Sequence, residues 1–292
     1  MENFKDSLIN KKKIGIVCND AGGSEIISAW LFQKKKNFIY SLSGPAKKIF
    51  GKKFKKKKNF KISKLVENSD IIITGTSLHC ENEIEAIKYS RIKKKICISF
   101  IDHWINYKLR FTRKGKEYLP DILIAHDLKS FFELKKIFKN RVKILIIKNA
   151  YFELIKKNYK KIRKIQPEGK YVFFSSNNNK SNTKLTDEKC LIKTINFIKK
   201  NFKEKKLINI IVRHHPSEKK TKYKNFKYKN TKLIFDKNKD LLKTIFQNRN
   251  FFGYESMALV VAKICKKNTF GIYNKNKKYN TIPRSYFNSY FN

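Results

Sequence analysis

The feature that most narrows the fold is a repeated rhythm: a short run of consecutive apolar residues, a polar turn, then an apolar-periodic stretch. Lys13-Ile14-Gly15-Ile16-Val17-Cys18 is closed by Asn19-Asp20-Ala21-Gly22-Gly23, and Ser24-Glu25 then opens a stretch carrying Ile26, Ile27, Trp30 and Leu31. This predicts a buried strand, a tight turn and a helix with an N-terminal Ser. Asn37–Leu42, Asp70–Thr74, Lys95–Ile101, Asp121–Ala125 and Val142–Ile147 repeat the strand signal, with helices expected over Glu81–Tyr89 and Leu128–Phe138. Strands that are apolar throughout are buried on both faces, so their alternation with helices predicts an α/β protein with parallel sheets.

The rhythm lapses over the lysine-rich stretch Tyr151–Lys170 and restarts at Tyr171–Phe174, followed by the polar loop Ser175–Asn179. A helix over Leu185–Phe202, strands over Leu207–Val212 and Lys232–Phe235, a helix over Asp240–Phe246 and a strand at Phe251–Gly253 follow. The reading is two Rossmann-like domains with parallel sheets: residues 1–150, a linker over 151–170, and a smaller unit over 171–292.

Composition removes several function classes. Apolar residues make up 41% of the 292, which is enough for a core. No apolar run reaches the roughly 18–20 residues that span a bilayer. The polar start Met1–Asn10 does not read as a signal peptide, and the five cysteines hold no Cys-x-x-Cys pair. Reduced core thiols in a cytoplasmic protein are expected. The net charge of +46 comes from 61 Lys and only 8 Arg, in a chain rich in Asn, Ile, Phe and Tyr. Those are residues with AT-rich codons. A nucleic-acid reader leans on Arg, whose planar fork grips phosphates and bases, so no specific nucleic acid is expected. Lys34–Lys64 holds thirteen Lys and no acid. It reads either as solvated surface or as a patch for peripheral contact with anionic membrane at its inner face.

In open parallel sheets, ligands bind beyond the carboxyl ends of the strands, and four clusters fall there. Asn19–Glu25 is a ligand loop or simply a turn that needs glycine, with Asp20, Gly22, Gly23 and Glu25 as its candidate residues. Asp102-His103-Trp104 follows the fourth strand, with Asn106, Tyr107 and Arg110 close behind. Asp102 or His103 is the candidate general base, against the alternative of a capped turn. Arg213-His214-His215-Pro216-Ser217-Glu218 follows the strand ending at Val212. Adjacent His side chains diverge, so no metal is expected, while Arg213 and His215 suit a phosphate. Gly253-Tyr254-Glu255-Ser256 precedes an apolar helix, where Ser256 suits a phosphate and Glu255 a ribose hydroxyl.

The last two motifs, in this order, resemble the donor domain of GT-B-fold glycosyltransferases. Within that superfamily they are similar to the bacterial branch with an HP motif, the sialyltransferase-like, polysialyltransferase-like and capsule or lipopolysaccharide polymer transferases; nucleotide-sugar 2-epimerases share the fold. The resemblance implies that His215 meets donor phosphate and that Glu255 and Ser256 hold the nucleotide. It makes Asp102 or His103 the base and brings Gly22-Gly23 to an interdomain cleft. A C-terminal helix returning to the first domain would have to come from Pro283–Asn292. The expectation is a metal-independent transferase without a cofactor, its nucleotide-sugar donor contacted by Arg213, His215, Ser175, Ser176, Glu255 and Ser256. Its acceptor would be a glycan or a lipid-linked molecule. A nucleotide-sugar epimerase or hydrolase of the same fold, or a non-enzymatic polyanion binder, is the alternative.

Overall fold

A computed structural model describes residues 6–35, 37–55, 58–162, 169–176, 185–204, 206–215, 218–219, 221–273 and 281–291. Several features of the sequence reading lie outside them: part of the N-terminal segment, Lys36, Lys56 and Lys57 of the lysine patch, Gln166-Pro167-Glu168, Asn177–Asn179, and Pro216-Ser217 of the HP motif. The chain divides into two compact units, Met1–Leu154 and Ile155–Asn292.

In unit 1, strands β1 (Ile14–Cys18), β2 (Phe38–Leu42), β3 (Ile71–Thr74), β4 (Ile96–Phe100), β7 (Ile122–Ala125) and β8 (Lys143–Ile146) form one parallel sheet. The hairpin of β5 (Thr112–Arg113) and β6 (Lys116–Glu117) stands apart from it. Helices α1 (Ala21–Lys34), α2 (Gly44–Lys53), α3 (Ile62–Glu67), α4 (Glu81–Ile92), α5 (Tyr107–Arg110) and α6 (Leu128–Phe138) join the strands, and α7 (Ala150–Ile162) follows β8. Strand side chains alternate between two cores: Ile14, Ile16 and Cys18 of β1 join Trp30 and Phe50 on one face, while Val17 joins Ile72, Ile84 and Leu134 on the other. This is why β1 is apolar without a break.

Helix boundaries follow local chemistry. Asp127 caps α6 by accepting from Ser130 N–H at 2.7 Å, and Phe131, Leu134 and Phe138 form its buried face. The sheet order β2-β1-β3-β4-β7-β8 reverses direction between β1 and β3, which makes the carboxyl ends of those two strands the crevice of unit 1.

Unit 2 carries β9 (Gly169–Phe174), α8 (Asp187–Asn201), β10 (Ile208–Arg213), β11 (Thr231–Phe235), α9 (Leu241–Gln247), β12 (Asn248–Gly253), α10 (Met257–Ile264), β13 (Asn268–Ile272) and β14 (Ser289–Phe291). Its sheet runs β11-β10-β9-β12-β13-β14, all parallel, and reverses between β9 and β12. Phe173, Ile195, Ile210 and Phe252 lie in its core, and Thr186 caps α8 through Lys189 N–H at 3.3 Å.

Three expectations are corrected, and the lysine patch gains structural detail. Unit 2 has as many strands in its sheet as unit 1, because β13 and β14 were not read from the sequence. The Pro283–Asn292 tail supplies a turn of 3-10 helix (Arg284–Tyr286) and the edge strand β14, not a returning helix. The lysine patch contains α2 and α3, whose Ala46, Phe50, Leu65 and Val66 are buried under their cationic faces. Helix α1 begins at Ala21, so Gly22 and Gly23 lie in its first turn rather than in a preceding one. Among the described residues no helix is long and apolar enough to cross a membrane.

Candidate functional site

At the carboxyl edge of unit 1, the first turn of α1 approaches the loops after β3 and β4. A Cβ on Gly22 would collide with the Asp102 carboxylate, and one on Gly23 would lie 3.2 Å from Gly75 Cα. Both glycines thus serve close approach rather than a turn: a side chain at position 22 would displace the Asp102 carboxylate, and one at 23 would crowd the Gly75 backbone. Asp102 Oδ1 accepts from Arg110 Nη1 at 2.9 Å, and Arg110 also donates to Thr76 O at 2.6 Å and, through Nε, to Ile105 O at 3.2 Å. Asp102 therefore packs against the first turn of α1 and pairs with a buried guanidinium.

His103 is half-buried, and its Nδ1 accepts from Trp104 N–H at 3.0 Å. In the neutral ring the proton then sits on Nε2, which makes that nitrogen a donor rather than a base. Asp102 and His103 are thus both engaged locally, the one by Arg110 and the other by the Trp104 backbone. Asp20 is the N-cap residue of α1; its Oδ1 accepts from Asn19 Nδ2 at 2.6 Å, and its N–H donates to Ser77 Oγ at 3.3 Å. Glu25 does not belong to this loop: it lies inside α1 and pairs with Lys53 of α2 at 2.5 Å.

The sequence reading missed two groups at this edge. Glu83, in the first turn of α4, accepts from Asn19 N–H at 3.2 Å and Ser77 N–H at 2.5 Å, stapling together the loops after β1 and β3. Burial raises its pKa to about 7, against those two donors. His126 and Asp127 follow β7 directly; the rule that singled out Asp102 and His103 at the end of β4 applies equally to them. Asp127 Oδ2 accepts from Trp104 Nε1 at 2.5 Å.

At the carboxyl edge of unit 2, Ser175, Ser176, Glu255 and Ser256 all lie at the reversal between β9 and β12, and His215 follows the adjacent β10. Their side chains are used differently. Ser175 Oγ lies 2.7 Å from Glu218 Oε1, 3.2 Å from Asp187 Oδ2 and 2.9 Å from Tyr223 Oη. Ser176 Oγ donates to Asp187 Oδ1 at 2.8 Å. Lys222 bonds both Asp187 and Glu218, whose side chains are 0% and 1% exposed. Burial opposes its charge, yet the two carboxylates raise the Lys222 pKa above its ordinary value. Both serines thus bond members of an internal ion triad.

Arg213 is likewise turned inward: Nη1 lies 2.5 Å from Asp236 Oδ2 and 3.1 Å from Thr244 Oγ1, and donates to Asn238 O at 2.8 Å. His215 is exposed, and its backbone N–H donates to Glu218 Oε2 at 3.0 Å, which fixes the start of its loop. Ser256 caps α10 through Ala258 N–H at 3.3 Å. Glu255 has φ +47°, a left-handed conformation uncommon for Glu, and its Oε1 accepts from Thr281 N–H at 2.7 Å. Among the described residues no cluster of three or more His, Cys, Asp or Glu is arranged to hold a metal ion.

No family model matches the sequence, and no curated protein matches it. Solved structures do. A UDP-GlcNAc 2-epimerase from Methanocaldococcus jannaschii superposes with a TM-score of 0.58 at 14% identity, over 89% of this chain and 83% of its own. The Neisseria meningitidis UDP-GlcNAc 2-epimerase bound to UDP-GlcNAc gives 0.59 at 10% identity, over 89% and 82%. The wall teichoic acid polymerase TagF gives 0.53 at 13% identity, over 96% and 75%. With its two six-stranded parallel sheets, the chain has the paired Rossmann-like units of the GT-B fold.

Proposed function

We propose that the protein is a GT-B-type glycosyltransferase that takes a sugar from a nucleotide-diphosphate donor, without a metal ion, and passes it to a glycan or lipid-linked surface-polymer acceptor at the inner face of a membrane. The observation that carries the reading is the reversal point of unit 2, where exposed His215, the strained Glu255 and the capped N-terminus of α10 come together at one sheet edge. A diphosphate leaving group gains negative charge. A helix N-terminus and an imidazole N–H donor are suited to meet it. Glu255, held at its backbone by the turn, is suited to accept from ribose hydroxyls. Arg213, Ser175 and Ser176 act behind this surface, fixing the loops that present it.

A nucleotide-sugar epimerase is the second reading, favoured by the likeness to two UDP-GlcNAc 2-epimerases. Against it, the carboxylates at the edge of unit 1 are tied to internal donors: Asp102 to Arg110, Asp127 to Ser130 and Trp104, and Glu83 to two backbone N–H groups.

The test is thermal denaturation with UDP, CDP and GDP at moderate salt, for the native chain and for His215→Ala. A nucleotide at about 100 times its Kd stabilises by roughly 2.7 kcal/mol. One base should stabilise selectively, and His215→Ala should abolish the gain while leaving the unliganded melting point unchanged. Equal shifts from every anion, insensitive to the substitution, would leave only a basic surface. Incubating the selected nucleotide sugar without acceptor then separates the two enzymes, since only the epimerase forms product.

A further inference from the structure

His126 stands just past β7, and its Nδ1 lies 3.2 Å from Ile147 O. A carbonyl oxygen only accepts, so Nδ1 carries the ring proton and Nε2 of the neutral ring keeps a bare lone pair. That Nε2 is buried and has no hydrogen-bond partner among the described residues. Burial lowers the His126 pKa to about 4, so the ring is neutral and Nε2 remains an acceptor above that pH. An unpartnered buried acceptor of this kind calls for a missing donor.

A cavity of about 20 Å³ lies beside the ring, walled by Asp102, His103, Trp104, Asp127, Asn149 and Phe152. Roughly 10–15 Å³ is the least that admits one water-sized group, so the space takes a single oxygen. The walls also restrict its chemistry. Asp102 and Asp127 disfavour an anion, and a neutral acceptor nitrogen is wasted on an apolar group. Asn149 Oδ1 accepts from Phe152 N–H at 3.2 Å, so the other end of its amide is the donating NH2.

We infer that this cavity is a binding site for one hydroxyl oxygen, whose O–H donates to His126 Nε2 while the oxygen accepts from the Asn149 amide. Water and the hydroxyl of a sugar or polyol share this chemistry. The site lies wholly within unit 1, on the edge that holds Asp102 and His103, and it does not depend on the transferase reading.

The experiment joins high-resolution crystallography with nitrogen NMR of histidine-labelled protein at neutral pH, using glycerol as the hydroxyl probe. In the native chain the Nε2 resonance of His126 should sit at the position of a hydrogen-bonded lone pair, with one ordered oxygen within hydrogen-bond distance of it. Retention of that resonance and oxygen in glycerol identifies resident water as the occupant. A glycerol-dependent shift, with a glycerol hydroxyl replacing the oxygen, identifies a polyol site. Asn149→Ala, which leaves the His126 ring and its Ile147 bond in place, should move Nε2 towards the unbonded position. An empty cavity together with an unbonded Nε2 resonance that glycerol does not move overturns the inference. So does an Nε2 signal unaffected by Asn149→Ala.

Discussion

The two carboxyl edges are held together by different means. In unit 2 a lysine is driven between two fully buried carboxylates, so that the loops after β9 and β10 are cross-linked by charge: Ser175 and Ser176 through Asp187, and His215 through Glu218. In unit 1 the loops are joined mainly by neutral donors. Glu83 takes two backbone N–H groups, and among the described residues Asp102–Arg110 is the most buried ion pair of the unit. A charged cross-link is strong only while every member is present. A carboxylate held by backbone amides can instead take up a proton and let go. The comparison separates a charge-linked frame beneath His215 from an edge where burial raises the Glu83 pKa to about 7.

The largest effect should come from removing the cation in unit 2. Lys222→Met leaves Asp187 and Glu218 facing each other without a counter-charge and should destabilise the native state by about 3–5 kcal/mol, read from urea unfolding. A loss below about 1 kcal/mol would show that the triad is weakly coupled to the fold and would erase the contrast with unit 1.

In unit 1 the contrast predicts a dependence on pH. The Glu83 pKa is raised to about 7 from an ordinary 4.5, so the folded state holds its proton where the unfolded state has lost it, and stability falls as pH rises through that window. The His126 pKa is lowered from 6.5 to about 4, so the unfolded state gains a proton first, and stability falls as pH drops through that window. The two slopes oppose each other between about 4.5 and 6.5. Relative to the native chain, Glu83→Gln should lose up to about 3 kcal/mol more on acidification from pH 6.5 to 4.5, since only the His126 slope remains. Parallel stability–pH curves for the two proteins would remove Glu83 from the titrating set.

The smallest effect sharpens the comparison at the helix ends. Ser256→Ala removes the cap of α10 and should cost about 1 kcal/mol with no change in pH dependence. A larger loss would mean that Ser256 bears on Glu255 and its strained backbone as well as on the helix.

How much of this was legible in the sequence varies with the kind of contact. Strand and helix positions were, because an unbroken run such as Ile71–Thr74 has few ways to be buried, and Leu128–Phe138 declares its own cap and buried face. The placement of Ser175, Ser176, Glu255 and Ser256 at a strand-end edge was also legible, since the residues that follow a buried strand must emerge there. What those side chains bond was not. Arg213 finds Asp236 and Glu25 finds Lys53 across separations of 23 and 28 residues. Lys222 was one lysine among 61 until the fold set it between two carboxylates.

The sequence by itself determined that the chain forms parallel sheets clothed by helices, in two successive units, with its polar residues gathered at strand ends. Local patterning suffices for that, because apolar periodicity and capping act over a few residues. Only the tertiary structure decided the order of the strands, and with it the reversal points between β1 and β3 and between β9 and β12. Buried parallel strands resemble one another in sequence, so nothing local says which pair will be neighbours. That order determined which carboxylates are neutralised from within, which glycines admit a close approach, and why the Nε2 of His126 faces a cavity with its lone pair unmet.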